Sequence, residues 1–391
     1  MADDKHKYST TPLLIAFTET SQTRDTYGGG VANIILQGMH MRRADATKDT
    51  VLIFMHPTAT LDTLPLPREL ARLGVPVMAC ASRYPHNDSA LIMEKVLIDL
   101  GHYVRYAREK LGYSKVILAG WSGGASLAVY YQAQAETCTV SATPAGDEID
   151  LSSLQPADGI MQLAAHSARA QIMTESLDAS ILNELDPTLR NPSLDLYDQN
   201  RGPRAPYGVD FIVEYRAAQI ARNRKITAWV RETLNDLQRH GGPGQERCFV
   251  THGTMADPRW FDTEVDANER KAGRCYLGDP AMVNNGPIGL ARFATLRSWL
   301  SQWSIDDSMA NTERQGANVT VPALVIANGA DDCCPPSHTD RIYKSLGGSK
   351  SLHVISGANH YYIGQPEQLK AALALCVDWL TKTHLIDGLP S

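Results

Sequence analysis

Short apolar runs recur along this chain, most of them followed by a polar or glycine-containing turn and then by a stretch with helical spacing. Val51–Met55, Val75–Ala81, Val116–Ala119, Gly159–Ala165, Val321–Ala327 and Leu352–Ile355 are such runs. They are too short for helices and largely lack polar alternation, so they read as strands covered on both faces. Met93, Val96, Leu97, Leu100, Val104, Ala107 and Leu111 recur every three or four residues and give one helix an apolar face. Further helices are expected over 125–136, 337–346 and 366–380, and an early strand over 31–41. Strands alternating with helices predict an α/β fold: a mostly parallel central sheet flanked by helices on both faces.

The alternation breaks after the strand ending near residue 165 and resumes after 310. Unstructured connections longer than ~15 residues are uncommon in compact domains, so 167–310 is expected to be a folded, mainly helical insertion in a core made of 1–166 and 311–391. Two apolar stripes predict helices in it: Ile226, Trp229, Val230, Leu234 and Leu237, then Phe293, Leu296, Leu300 and Trp303 after the break at Gly286-Pro287. Trp229, Trp260, Trp299 and Trp303 are candidates to line a pocket, although helical spacing more often marks plain core.

Composition narrows the partners. The chain of 391 residues is 43% hydrophobic and 20% charged with a net charge of −6, which suggests neither nucleic acid nor an anionic membrane as partner. Its seven cysteines are odd in number, scattered and without C-x-x-C spacing, so neither a disulfide framework nor a zinc site is expected, and a reducing compartment fits best. The polar N-terminus offers only the six-residue apolar patch Pro12–Phe17, short for a signal peptide, and no run approaches the ~18 apolar residues of a membrane span. Cytoplasmic residence is the resulting expectation. Tyr27-Gly-Gly-Gly30 lacks a following G-K-[ST] and is expected to be a turn. No Rossmann glycine pattern or H-E-x-x-H appears, so no cofactor and no metal are expected.

The chemistry concentrates at three strand ends. Lys115–Ser126 reads as strand, tight turn and helix, and Gly120, Ser122 and Gly124 fit G-x-S-x-G, which holds a serine on a strained turn with its Oγ above the sheet. Small residues two before and two after the serine let that turn close, while the new helix aims free N–H groups, including that of Gly123, at an adjacent oxyanion. Asp331 and Asp332 follow the strand 321–327, and His360 follows 352–355, so all these side chains should emerge on one rim of a parallel sheet. A serine hydroxyl is a weak nucleophile until a base takes its proton. Imidazole can take and return that proton, and a buried carboxylate fixes its tautomer.

In these residues the chain resembles the α/β-hydrolase superfamily across 1–166 and 311–391, with no particular member identified. The elbow Gly120-Trp-Ser-Gly-Gly124, the acid loop Gly329-Ala-Asp-Asp-Cys-Cys-Pro335, the loop Gly357-Ala-Asn-His360 and the order Ser, Asp, His carry the resemblance. It implies an α/β-hydrolase fold in which 167–310 forms the cap. Ser122 would be nucleophile and His360 base, with Asp331 the acid and Asp332 the alternative, because a proline falls four residues after each. The superfamily's oxyanion hole would use Gly123 and a donor from the loop after the third strand. That loop is commonly His-Gly-x but here His56-Pro57-Thr58, and proline has no N–H, so Thr58 is the expected donor. Trp121 and His166 are expected to face the substrate, and Cys333-Cys334 to be two free thiols. The implied activity is a serine hydrolase acting on a small-molecule carboxylic ester or lactone through an acyl-enzyme. A C–C or amide hydrolase with the same triad, or a non-catalytic ligand-binding protein, are the alternatives.

Overall fold

The apolar runs form the middle of an eight-stranded sheet in a computed structural model that describes residues 8–21, 23–26 and 32–389. Its strands are β1 (Tyr8–Thr18), β2 (Asn33–Arg43), β3 (Thr50–His56), β4 (Val77–Ala81), β5 (Lys115–Trp121), β6 (Gly159–Leu163), and two later ones named below. Helices α1 (Pro65–Leu73), α2 (Met93–Glu109) and α3 (Gly124–Glu136) connect the first half. In the second half β9 (Ala323–Asn328), α9 (Pro336–Ser345), β10 (Lys350–Ile355) and α10 (Pro366–Lys382) restore the alternation, and the spatial order is β1-β2-β4-β3-β5-β6-β9-β10. β1 pairs antiparallel with β2, and β2 antiparallel with β4, while every pairing from β4 to β10 is parallel.

Neighbouring residues of a strand point to opposite faces, and each face has its own core. Val51, Ile53, Val116 and Leu118 pack with Leu97, Leu100 and Leu127 of α2 and α3. Leu52, Phe54, Ile117 and Ala119 pack with Leu70 of α1 and Trp379 and Leu380 of α10. The uninterrupted apolar runs are the consequence of this double burial.

Neither β1 nor α1 was expected. β1 pairs over its full length with β2, from Tyr8 opposite Arg43 to Thr18 opposite Asn33; it contains the apolar patch Pro12–Phe17, whose continuous run does not show the alternating burial of the strand. In α1, Pro65 and Pro67 sit in the first turn, where a missing N–H breaks no helical bond. The turn expected at Tyr27–Gly30 lies outside the described residues.

Residues 167–310 contain α4 (Arg169–Ser176), the 33-residue α5 (Val209–Gly241), α6 (Pro280–Asn284), α7 (Leu296–Ser298) and a two-stranded sheet of β7 (Cys248–Val250) against β8 (Phe293–Thr295). The short α8 (Thr312–Gln315) leads back to β9. The first stripe lies in α5, where Ile226, Val230 and Leu234 are buried but Trp229 is 39% exposed. The second expectation needs correction: Phe293 belongs to β8, and helix begins only at Leu296, passing into a π-type turn over Trp299–Trp303. Trp299 and Trp303 pack with Ile226 and Val230, and Trp260 lies in a separate small cluster. No helix among the described residues is long and apolar enough to cross a membrane.

Candidate active site

Ser122 stands between the last residue of β5 and the first of α3 with φ of 52°, a left-handed backbone that a side chain adopts only at a cost of order 1–3 kcal/mol. The surroundings impose it. Ser122 N donates to the Leu163 carbonyl at 3.0 Å, and Ala125 N donates back to the Ser122 carbonyl at 3.1 Å. A Cβ on Gly120 would lie 2.5 Å from the Ala125 Cα, and one on Gly124 would lie 2.1 Å from the Met55 carbonyl oxygen. The two glycines of the motif are therefore steric requirements of the close approach of α3 to β3 and β5.

His360 and Asp331 meet at the same rim. The ring Nδ1 of His360 lies 2.8 Å from Asp331 Oδ2, with the two side chains 3% and 0% exposed. The other carboxylate oxygen of Asp331 accepts from the Cys333 and Cys334 backbone N–H groups at 2.8 and 2.9 Å. Burial works against an imidazolium at His360, but the Asp331 carboxylate, with smaller help from Cys333 and Asp332, outweighs it and pushes the group up to about 9. The two loops are stitched together by Ala330 N to the Ala358 carbonyl and by Asn328 Nδ2 to the Asn359 carbonyl.

Asp332, the alternative acid, points elsewhere: its carboxylate lies 3.8 Å from Arg274, and its carbonyl accepts from Trp260 Nε1 at 2.9 Å. Nor does it cap the next helix, because Ser337 N, in the first turn of α9, donates instead to Asp266 Oδ1 at 3.1 Å. Trp121 is buried edge-on against His360 and Tyr362, with ring centroids 6.0 and 5.8 Å apart. Its ring thus braces the imidazole while also lining the cavity. The Ser122 hydroxyl faces Cys334 Sγ at 4.0 Å, and among the described residues His360 Nε2 has no hydrogen-bond partner. Cys333, Cys334 and His360 bring two sulfurs and a ring nitrogen within 4.8 Å of one another. A metal held there would compete with Asp331 or Ser122 for the imidazole.

The expectation for Thr58 needs correction. The backbone N–H of Thr58 is directed at His56 Nδ1 at 3.1 Å, and that of Ala59 at the same atom at 2.9 Å. With Pro57 lacking an N–H, residues 57–59 offer no free backbone donor. A nitrogen that accepts two N–H groups carries no proton, so His56 is the Nε2–H tautomer. Burial, then Arg169 and His360, hold its pKa well below the ordinary value, which keeps it neutral. This Nε2 faces Gly123: a Cβ there would lie 2.8 Å from His56 Nε2, 3.2 Å from Arg169 Nη1 and 3.4 Å from His166 Nε2. His166 is buried, and its Nδ1 has no partner among the described residues.

Ser122, His360, His56, His166 and Arg169 line a cavity of about 550 Å³, together with Asp88 and with Tyr276 and Arg292 from 167–310. None of Trp229, Trp260, Trp299 and Trp303 lines it. Sequence reasoning missed His56 and Arg169 as cavity residues. The departure at His56-Pro57 was the available signal for the first; nothing local marks the second.

Neither a family model nor a curated protein matches the sequence. Solved structures do match. The α/β hydrolase GrgF from Penicillium sp. sh18 superposes with a TM-score of 0.51 at 11% identity, over 96% of this chain and 100% of that one. Est1E from Butyrivibrio proteoclasticus gives 0.46 at 13% identity over 90% and 96%, and the monoacylglycerol lipase of Paleococcus ferrophilus gives 0.44 at 16% over 89% and 99%.

Proposed function

We propose that this chain, which has the fold of the α/β hydrolases, is a serine hydrolase of a small-molecule carboxylic ester or lactone. The observation that carries the reading is the convergence, at one cavity, of a serine at φ 52° with His360, whose ring is hydrogen-bonded at 2.8 Å to the buried Asp331. In this mechanism Ser122 Oγ turns from Cys334 toward His360 Nε2, gives up its proton there and bonds to the substrate carbonyl carbon. The oxyanion takes the Gly123 N–H and, in place of Thr58, the Nε2–H of His56. Collapse expels the alcohol, which leaves with the proton from His360, and water activated by the same imidazole then frees the acid and Ser122. Asp331 holds the Nδ1 proton throughout. Residues 167–310 act as the cap over this site.

The experiment is the intact mass of wild type and Ser122→Ala after exposure to a fluorophosphonate, which phosphonylates only an activated serine. One adduct on the wild type and none on the variant is expected. A folded wild type that takes no adduct would overturn the assignment.

A further inference from the structure

We infer that Arg169 makes the pocket beside Ser122 a carboxylate subsite, so that the substrate is an ester bearing a free carboxylate close to the scissile bond. This rests on the serine-hydrolase reading. Arg169 opens α4 and its side chain is 6% exposed. Its position is fixed on three sides: Nη2 donates to Asp88 Oδ2 at 2.7 Å, Nε donates to Gln302 Oε1 at 3.2 Å, and the guanidinium stacks on Trp303 at 4.5 Å. Nη1 is left over. Among the described residues it has no hydrogen-bond partner, yet it lines the cavity on the Gly123 side.

A buried guanidinium with two idle N–H groups needs an acceptor, and water or a carboxylate are the choices. Asp88, which takes Nη2, lines the same cavity, so the pair carries no net charge there and what Arg169 offers an acceptor is the two directed N–H groups of Nη1. The one Nε2–H of His56 is committed to the oxyanion, and His166 places its Nε2 on the same side of Gly123 as Arg169 Nη1. Fixed donors in a partly desolvated wall bind an anion more strongly than flexible surface lysines do. Because these nitrogens surround the residue next to Ser122, the carboxylate they take must lie only a few bonds from the reacting carbonyl.

The test compares kcat/KM for the monomethyl esters of malonate, succinate and glutarate with those for methyl propanoate, butanoate and pentanoate. Acetoxyacetate against propyl acetate places the carboxylate on the alcohol side instead. The free acid is expected to be preferred in one of the two arms, with the optimum at short spacing. Arg169→Met should reduce that preference by about 10- to 100-fold, and Arg169→Lys should restore part of it. Should the variants fail to fold, the wild type still decides, since succinate should slow fluorophosphonate labelling of Ser122 more than sodium chloride does at equal ionic strength. A wild type that is labelled but shows no acid preference in either arm and no protection by succinate would overturn the carboxylate subsite alone. A wild type that takes no label would remove both readings.

Discussion

Gly123 has an ordinary helical backbone, φ −64° and ψ −15°, so alanine meets no torsional objection there. The objection is the His56 ring, 2.8 Å from where the new Cβ would stand. Gly123→Ala should therefore keep the fold but displace His56, lowering kcat/KM by about 100-fold or more if that ring donates to the oxyanion. Normal turnover in a folded variant would take His56 out of the mechanism. Ser122→Ala should lower turnover by about 10⁴- to 10⁶-fold in the same assay. Asp331→Asn should cost up to about 10⁴-fold and Asp332→Asn far less, because only Asp331 touches Nδ1. The reverse ranking would move the acid by one position. The pH profile carries its own prediction. A base must be neutral, and the proton on His360 is held up to about 9, so kcat/KM should climb with pH through that region and not level off near the ordinary 6.5. Asp332→Asn removes one of the charges holding that proton and should shift the rise to lower pH.

At the scale of elements, α2 is tied to α3 and to the turn Trp299–Trp303 through a carboxylate with no solvent. Glu94 accepts from Ser301 Oγ at 2.7 Å and from the Tyr130 hydroxyl at 3.2 Å, while Met93 N donates to the same Ser301 oxygen at 2.8 Å. Burial outweighs these hydrogen bonds and pushes Glu94 up to about 6. The native state thus keeps a proton that the unfolded chain has already released, and stability falls as pH rises through that window. Between pH 5 and 7 the loss is of order 1 kcal/mol. Denaturation of Glu94→Gln at the two pH values should show a smaller decline than wild type, and an equal decline would place the effect on other groups. These contacts also show what sequence can carry. The central strands were legible because double burial forces continuous apolar runs, and Ser122 and His360 because glycine-marked turns follow strands. The edge strand β1 was not, since its apolar patch Pro12–Phe17 runs on without the polar alternation that would mark a strand buried on one face only. Nor was the occupied N–H of Thr58, which depends on where a ring nitrogen two residues earlier comes to rest. Arg169 was hidden for a stronger reason: its partners Asp88 and Gln302 lie 81 and 133 residues away, and no spacing records them.

Across the whole molecule, 167–310 and the sheet are joined by a buried ionic network. Glu175 of α4 accepts from Arg259 at 2.6 Å, from His338 of α9 at 3.0 Å and from Arg341 at 3.3 Å, and Asp257 takes Arg216 at 2.7 Å beside it. Burial opposes the Glu175 carboxylate, but Arg259 and His338 outweigh it and hold its pKa well below the usual range, so its stabilising contribution is present at neutral pH and is lost on acidification. Removing Glu175 leaves Arg259 held by Asp257 but strips the buried His338 Nε2 of its acceptor, at a cost of about 1–3 kcal/mol. If this joint couples 167–310 to the sheet, the tryptophans should report it. Four of the six, Trp229, Trp260, Trp299 and Trp303, lie in 167–310, whereas far-ultraviolet dichroism sees the whole chain. In wild type at pH 7 the two signals should change together in one denaturation transition. In Glu175→Ala the fluorescence change should come first, as 167–310 loosens before the sheet, and the overall midpoint should fall. Two separate transitions already present in wild type, or coincident and unshifted ones in the variant, would mean that the network does not couple the two parts, and that the cavity between them opens without its help.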